Sequence, residues 1–159
     1  MFRRMMETEA PASVWLIRLT VGAVFLSEGI QKFLYPAARG VGRFEGIGIP
    51  APEILAPFVA VFEIACGILI LVGLLTRLAA IPTTVIMIVA IVSTKIPILL
   101  GHGYWGFNVR ELSQYGFWSM AHAARTDFAM LLGSLFLIVV GAGRWSLDSL
   151  FSGPPEEGP

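Results

Sequence analysis

Four long apolar stretches constrain what this chain can fold into. The first, at 14–35, reads VWLIRLTVGAVFLSEGIQKFLY. As a helix it would reach about 33 Å, enough to cross a hydrocarbon core of about 30 Å. Three more spans are predicted at 57–75, 78–96 and 126–143. Because lipid cannot satisfy free backbone polar groups, such stretches must be helical. The sequence therefore predicts an all-α fold, an integral membrane four-helix bundle.

The composition supports a membrane protein and excludes several other classes. The chain has 159 residues, of which 56% are hydrophobic and 14% charged, against about 25% charged residues in a soluble domain. The net charge of zero gives no reason to expect a nucleic-acid partner. A single cysteine, Cys66, excludes an intrachain disulfide. We expect a short cytoplasmic N-terminus at 1–13, one transmembrane domain at 14–150 and a disordered tail at 151–159.

The connections between the spans are unequal. Thr76 and Arg77 leave only a tight turn between the second and third spans, which should therefore be antiparallel neighbours. The connection at 101–125 is long and aromatic, and is predicted to lie at the membrane surface as an interfacial segment between helices three and four. Arginines are slightly more frequent on the side that holds both termini. Because loop arginines favour the cytoplasmic side, this bias predicts that both termini are cytoplasmic. We expect the chain to lie in the inner (plasma) membrane of the cell.

Ionisable residues occur inside all four spans, mostly at one depth. Consecutive membrane helices alternate in direction, so the end of the first, the start of the second, the end of the third and the start of the fourth share a side. Charges within a bilayer are costly and usually mark function. The candidate proton-relay or ligand-polarising residues are Glu28, Lys32, Glu63, Lys95 and Asp127. The candidate ligand-binding residues are Gln31, Trp105, His122 and Arg125.

Ion pairing alone is the competing interpretation of this cluster. Glu28 and Lys32 are four residues apart, in the favourable order for a helical pair. Glu63 and Lys95 could likewise join the second and third helices. Asp127 stands at the predicted start of the fourth span, where an acid can also serve as a helix cap.

The first span carries small residues on the same face as its charges. Gly22 and Gly29 share a stripe with Glu28 and Lys32, and small residues permit close helix contact in membranes. This face should therefore contact protein rather than lipid. Arg18 lies nearer the other end of the span, and its side chain is predicted to extend to the membrane surface.

No metal site is predicted from the histidines. His102 and His122 both fall in the long connection, outside the helical positions from which two histidines would hold a haem. The chain also contains no phosphate-binding glycine loop, nucleophile elbow or zinc motif. The glycine-rich stretches are interpreted as helix contacts and turns.

Four features of the sequence are specific in combination: RLTVGAVFLSEGIQKF, GIPAPEILAPFVAVFEIACGILILVGLLTRLAA, the lysine at position 95 and the closing GAGRWSLDSL. In these features the chain resembles the DoxX family of small four-helix membrane proteins. Together the four features cover about Leu16 to Leu150. Family members often have a glutamate followed by an aromatic residue at the start of the fourth helix, where this chain has Asp127 and Phe128.

The charged cluster together with the resemblance favours one kind of function, and the absence of cofactor motifs favours another. DoxX-like proteins resemble the small membrane subunit of thiosulfate:quinone oxidoreductase, which implies a quinone-linked subunit of a membrane oxidoreductase assembly. Its partners would be the lipid bilayer, a redox enzyme that supplies electrons and a second copy of the chain in a homo-oligomer. The alternative is a non-enzymatic scaffold, or a carrier for a small apolar or sulfur-containing ligand. Fold resemblance does not decide between them, because function depends on the site.

Overall fold

The computed structural model describes residues 10–152, which form six helices and contain no β-strand. The helices are α1 (Val14–Leu34), α2 (Val41–Ile47), α3 (Pro52–Val72), α4 (Thr76–Leu100), α5 (Phe117–Val140) and α6 (Leu147–Ser152). The four long helices α1, α3, α4 and α5 are long and apolar enough to cross a membrane. The predicted all-α membrane fold is confirmed. Residues 1–9 and most of the tail predicted to be disordered lie outside the described residues.

The four long helices pack as two antiparallel pairs. The most extensive contacts are those of α1 with α3 and of α4 with α5, and a tight turn at Gly73–Leu75 joins α3 to α4. Between 17% and 33% of the residues in the most apolar part of each long helix are buried. Most of their large side chains face outward, as expected of helices whose surroundings are lipid. We call the end of the bundle where α1 begins the termini end, and the opposite end the cluster end.

Glycines allow α1 and α3 to approach closely, as the sequence predicts for Gly22 and Gly29. A Cβ atom added to Gly67 would lie 2.7 Å from the backbone nitrogen of Leu26 and 2.9 Å from the carbonyl oxygen of Gly22. One added to Gly29 would lie 2.7 Å from the carbonyl oxygen of Ala60. These contacts are with backbone, which cannot rotate away as a side chain can.

Gly67→Ala should therefore push α1 and α3 apart. We expect a loss of about 1 to 3 kcal/mol in the free energy of unfolding, as in other overpacked interiors. The measurement is the thermal unfolding midpoint of purified protein in detergent. Gly46→Ala is the matched control, because a Cβ at Gly46 would meet nothing within 4 Å. Equal midpoints for the two variants would show that the close approach contributes nothing to stability.

Prolines account for two of the differences between predicted and observed helix ends. The second span, predicted from Pro57, begins at Pro52, and Pro57 lies inside the helix. The third, predicted to end before Pro97, continues through it to Leu100 and stops at Gly101, whose φ is 76°. Membrane helices tolerate internal proline because neighbouring groups satisfy the freed carbonyl.

The long aromatic connection is shorter than predicted. The fourth span, predicted to begin at 126, begins at Phe117, so the second half of the aromatic stretch is helical. The remaining loop at 101–116, which we call the aromatic loop, is tied to its neighbours by backbone hydrogen bonds. The Asn108 amide donates to the Ile47 carbonyl at 2.7 Å, and the Gly116 amide donates to the Ile98 carbonyl at 3.1 Å. The loop therefore packs at the cluster end, beside α2 and the end of α4.

The closing segment after α5 binds the termini end of the bundle. Asp148, only 1% exposed, accepts hydrogen bonds from the backbone amides of Leu75 at 2.7 Å and Thr76 at 3.0 Å. These amides open α4, and the first amides of a helix have no partner within it. A carboxylate is also favoured there by the helix dipole. Asp148 therefore caps α4 from a distant part of the chain.

The prediction that Arg18 extends to the membrane surface is wrong. Its side chain is buried, with 4% exposure. It donates to the carbonyls of Ile70 at 2.9 Å, Leu71 at 2.7 Å, Ala142 at 3.1 Å and Trp145 at 2.5 Å. The end of α3 and the closing segment both present carbonyls here, and hydrogen bonds to these carbonyls replace the contact of the guanidinium with water. We call Arg18 and Asp148 the clasp.

Candidate functional site

Two ion pairs lie in the half of the bundle toward the cluster end, one in each helix pair, and the second is only partly buried, with side-chain exposures of 12% and 22%. Lys32 Nζ of α1 lies 2.6 Å from Glu63 Oε2 of α3, with side-chain exposures of 10% and 4%. Lys95 Nζ of α4 lies 3.1 Å from Asp127 Oδ2 of α5. Each pair therefore joins two helices that pack against each other. Four of the predicted catalytic candidates therefore form two separate ion pairs rather than one common cluster.

The pairing differs in part from the alternative considered from the sequence. The predicted pair of Glu28 with Lys32 is present as a loose contact of 4.0 Å. The predicted pair of Glu63 with Lys95 is wrong, because Glu63 contacts Lys32 and Lys95 contacts Asp127. The reason is that α3 packs chiefly on α1, and α4 on α5. Asp127 lies well inside α5, which begins at Phe117, so it does not cap that helix.

A row of alternating charges connects the first ion pair to the surface. Arg39 Nη1 lies 3.8 Å from Glu28 Oε1, and both side chains are nearly half exposed. Glu28 in turn lies near Lys32, which contacts the buried Glu63. Arg39, Glu28, Lys32 and Glu63 form what we call the charge row. It links an exposed guanidinium to a carboxylate inside the bundle.

The predicted ligand-binding residues make their contacts elsewhere. Gln31 donates to the Ser27 hydroxyl at 2.9 Å, and Arg125 Nη1 lies 2.6 Å from His122 Nε2 on the exposed side of α5. Trp105 is 84% exposed and stacks on Tyr104. The structure does not bring these four predicted residues together with the ion pairs.

A cavity of about 260 Å³ opens beside Lys95. It lies between α2, the last turns of α4 and the aromatic loop. Its lining residues are Arg43, Gly46, Ile47, Thr94, Lys95, Ile98, Asn108 and Arg110. The sequence analysis did not identify Arg43 and Arg110 as candidate site residues. Their position in the two connections at one end of the bundle is the signal that could have identified them.

The site contains groups that hold protons, and the described residues lack an obvious electron carrier. Within residues 10–152, no group of three His, Cys, Asp or Glu side chains is placed to hold a metal ion. Cys66 is buried, free of a disulfide and located in the apolar core of the bundle. Carboxylates and ammonium groups can transfer protons and stabilise developing charge.

Comparison with known proteins identifies relatives across most of the chain. The DoxX family model matches residues 13–96. An uncharacterized membrane protein of Mycobacterium tuberculosis, Rv3486, is 55% identical over 149 residues, which cover 94% of this chain and 87% of that protein. A Bacillus subtilis protein described as "Putative oxidoreductase CatD" is 26% identical over 134 residues, which cover 84% of this chain and 82% of that one. No solved structure matches the chain significantly.

Proposed function

The chain belongs to the DoxX family, and from that premise we propose that it is the membrane subunit of an oxidoreductase assembly that acts with a quinone. The description of the Bacillus subtilis relative as an oxidoreductase supports the reaction class. The bilayer is the solvent of a quinone, and four membrane-spanning helices place this chain's polar groups within reach of it. The observation that carries the proposal is the charge row.

The charge row has the properties of a proton path. Its outer members Arg39 and Glu28 are accessible, its inner member Glu63 is 3% exposed, and Lys32 connects them. A quinone accepts or releases protons together with its electrons. Glu63 can hold a proton inside the bundle, and Glu28 can exchange one with water. Lys32, a donor of up to three hydrogen bonds, can also polarise a carbonyl oxygen.

Electrons in this proposal come from a partner. The described residues present no group of metal ligands, and hydride or one-electron chemistry is ordinarily supplied by a cofactor. The partner would hold a flavin, a haem or a sulfur-handling centre. The membrane subunit would then provide the place where quinone and protons meet.

Glu63→Gln tests the proposal. The variant keeps the size of the side chain but cannot ionise, so quinol turnover in membranes should fall by about 10²-fold or more, the usual contribution of a positioned acid–base group. Quinone-dependent turnover of membranes that express the chain is the measurement, with quinone binding to the purified protein alongside. Glu53→Gln is the matched control, since Glu53 is exposed in the first turn of the same helix. Unchanged turnover in a folded Glu63→Gln protein would refute the proposal.

A non-enzymatic scaffold is the second candidate, and one observation favours it. Each of the two ion pairs joins two helices that already pack together, which is what a purely structural pair would do. In that case, substitutions at the pairs would change stability and partner assembly without a redox phenotype. A carrier for a small apolar or sulfur-containing ligand would show ligand binding without turnover.

We also propose that both ends of the described chain face the cytoplasm. Ala10 and Arg144 are joined by a backbone hydrogen bond at the termini end, so the two ends share a side. Arg77 lies at that end, close to the tightest turn, and loop arginines favour the cytoplasmic side. The ion pairs and the cavity would then lie in the outer half of the membrane.

A further inference from the structure

The cavity at the cluster end has a wall with an unbalanced positive charge. Arg43 comes from α2, Lys95 from α4 and Arg110 from the aromatic loop, while no carboxylate lines the cavity. Lys95 is paired with Asp127. Within the described residues, neither Arg43 nor Arg110 has a carboxylate oxygen within 4.0 Å of its guanidinium. Three separate chain segments thus bring cations to one small space.

The other lining groups complete a mixed polar and apolar pocket. Asn108 Nδ2 donates to the Gly46 carbonyl at 3.2 Å, a bond that ties the aromatic loop to α2. Ile47 and Ile98 form an apolar wall. The volume, about 260 Å³, lies just below the range of about 300–1,000 Å³ for drug-sized ligands. The occupant is therefore a small group rather than a large organic molecule.

Guanidinium groups favour one ligand chemistry over others. Their planar forks match the oxygens of phosphate and sulfate groups in paired hydrogen bonds, and they are less strongly hydrated than ammonium groups. A neutral ligand would leave the excess positive charge of the lining side chains uncompensated. A carboxylate side chain of the protein, the usual neutralising group, is absent from the lining.

From these observations we infer that the cavity between α2, α4 and the aromatic loop binds a small oxyanion group of the phosphate or sulfate type, held by Arg43, Arg110 and Lys95. The cavity lies where the helix ends meet the membrane surface, so the group can be a free ion or the headgroup phosphate of an anionic lipid. This inference goes beyond the proposed function and does not depend on a quinone.

Ligand-dependent thermal stability of the full-length protein provides the first test. Purified protein in uncharged detergent receives inorganic phosphate or sulfate, with sodium chloride of equal ionic strength as the salt control. A ligand that binds only the folded state raises the unfolding midpoint as its concentration passes the dissociation constant. Substitution of either arginine should weaken binding at least about tenfold, because hydrogen bonds to charged groups are the strong ones. The variants are Arg43→Gln, Arg110→Gln and the double variant.

Nanodiscs separate the two sources of the oxyanion. Protein in phosphatidylcholine discs is compared with protein in discs that contain phosphatidylglycerol, and retained lipid is identified by mass spectrometry after extraction. Selective retention of phosphatidylglycerol that the double variant loses supports a lipid headgroup. Stabilisation by free phosphate or sulfate that the double variant loses supports a free ion.

A control cation is available at the other end of the bundle. Arg144 is exposed and lies at the termini end, so Arg144→Gln should bind both probes like the unmodified protein. The inference is overturned if neither probe binds, or if binding in the double variant equals that of Arg144→Gln. Because no quinone is present, these results stand apart from the Glu63→Gln experiment.

Discussion

Arg18→Leu is expected to lower the free energy of unfolding by at least about 3 to 5 kcal/mol, the range found when one partner of a buried charged network is removed. The guanidinium satisfies four carbonyls at the end of α3 and in the closing segment. Leucine offers none of these hydrogen bonds, and it removes a positive charge that interacts with the buried carboxylate of Asp148. Yield and thermal unfolding midpoint in detergent are the measurements.

A second variant and a control show whether the stabilisation by Arg18 depends on its number of hydrogen-bond donors or on its charge. Arg18→Lys keeps the charge but has three donors from one nitrogen, which cannot reach carbonyls on both sides as the planar fork does. The free energy of unfolding of Arg18→Lys should therefore lie between those of the unmodified protein and Arg18→Leu. Arg39→Leu is the matched control, because Arg39 is 46% exposed and joins only a loose surface pair with Glu28, worth about 0 to 1 kcal/mol. A stable Arg18→Leu protein would contradict a stabilising role of the clasp.

The second large effect concerns the Lys32–Glu63 pair. Lys32→Met should cost about 3 to 5 kcal/mol, because it leaves the carboxylate of Glu63 buried without its cation. The double variant Lys32→Met with Glu63→Leu should recover most of this loss. Replacement of a whole buried ion pair by apolar side chains is often neutral or stabilising. The unfolding midpoints of Lys32→Met, Glu63→Leu and the double variant complete the double-mutant cycle.

The double variant also separates the two proposed functions. If it is stable and loses quinol turnover, the pair serves the chemistry and not the fold. If it is stable and keeps turnover, the ion pair is needed neither for the fold nor for the chemistry, and the charge row cannot carry the proposed function. A double variant that is no more stable than Lys32→Met would show instead that the ion pair itself stabilises the packing of α1 on α3.

Much of the fold was predictable from local features of the sequence. The helix predicted at 14–35 is observed at Val14–Leu34, because the segment is mostly apolar and is followed by Pro36. Internal prolines made the other ends less predictable. Pro57 and Pro97 resemble helix boundaries in sequence but lie within helices, since the bilayer leaves the chain few alternatives to helix.

The site was predictable as a set of residues but not as a set of contacts. Lys32, Glu63, Lys95 and Asp127 stand out in the sequence because charges are rare in apolar spans. Their pairing depends on which helices pack together, and the glycines at 22, 29 and 67 bring α1 onto α3. Arg43 and Arg110 were missed because the cavity forms only when the aromatic loop is hydrogen bonded to α2.

Arg18 and Asp148 show the division between sequence and tertiary structure most clearly. The amino-acid sequence alone determined that the chain crosses the membrane as helices and which of its charges lie within them, because the transfer of apolar and charged groups into lipid is a local property. It did not determine the partners of those charges. Residues far apart in sequence satisfy one another only after four helices have packed, and that packing is the sum of many small contacts that no local pattern records.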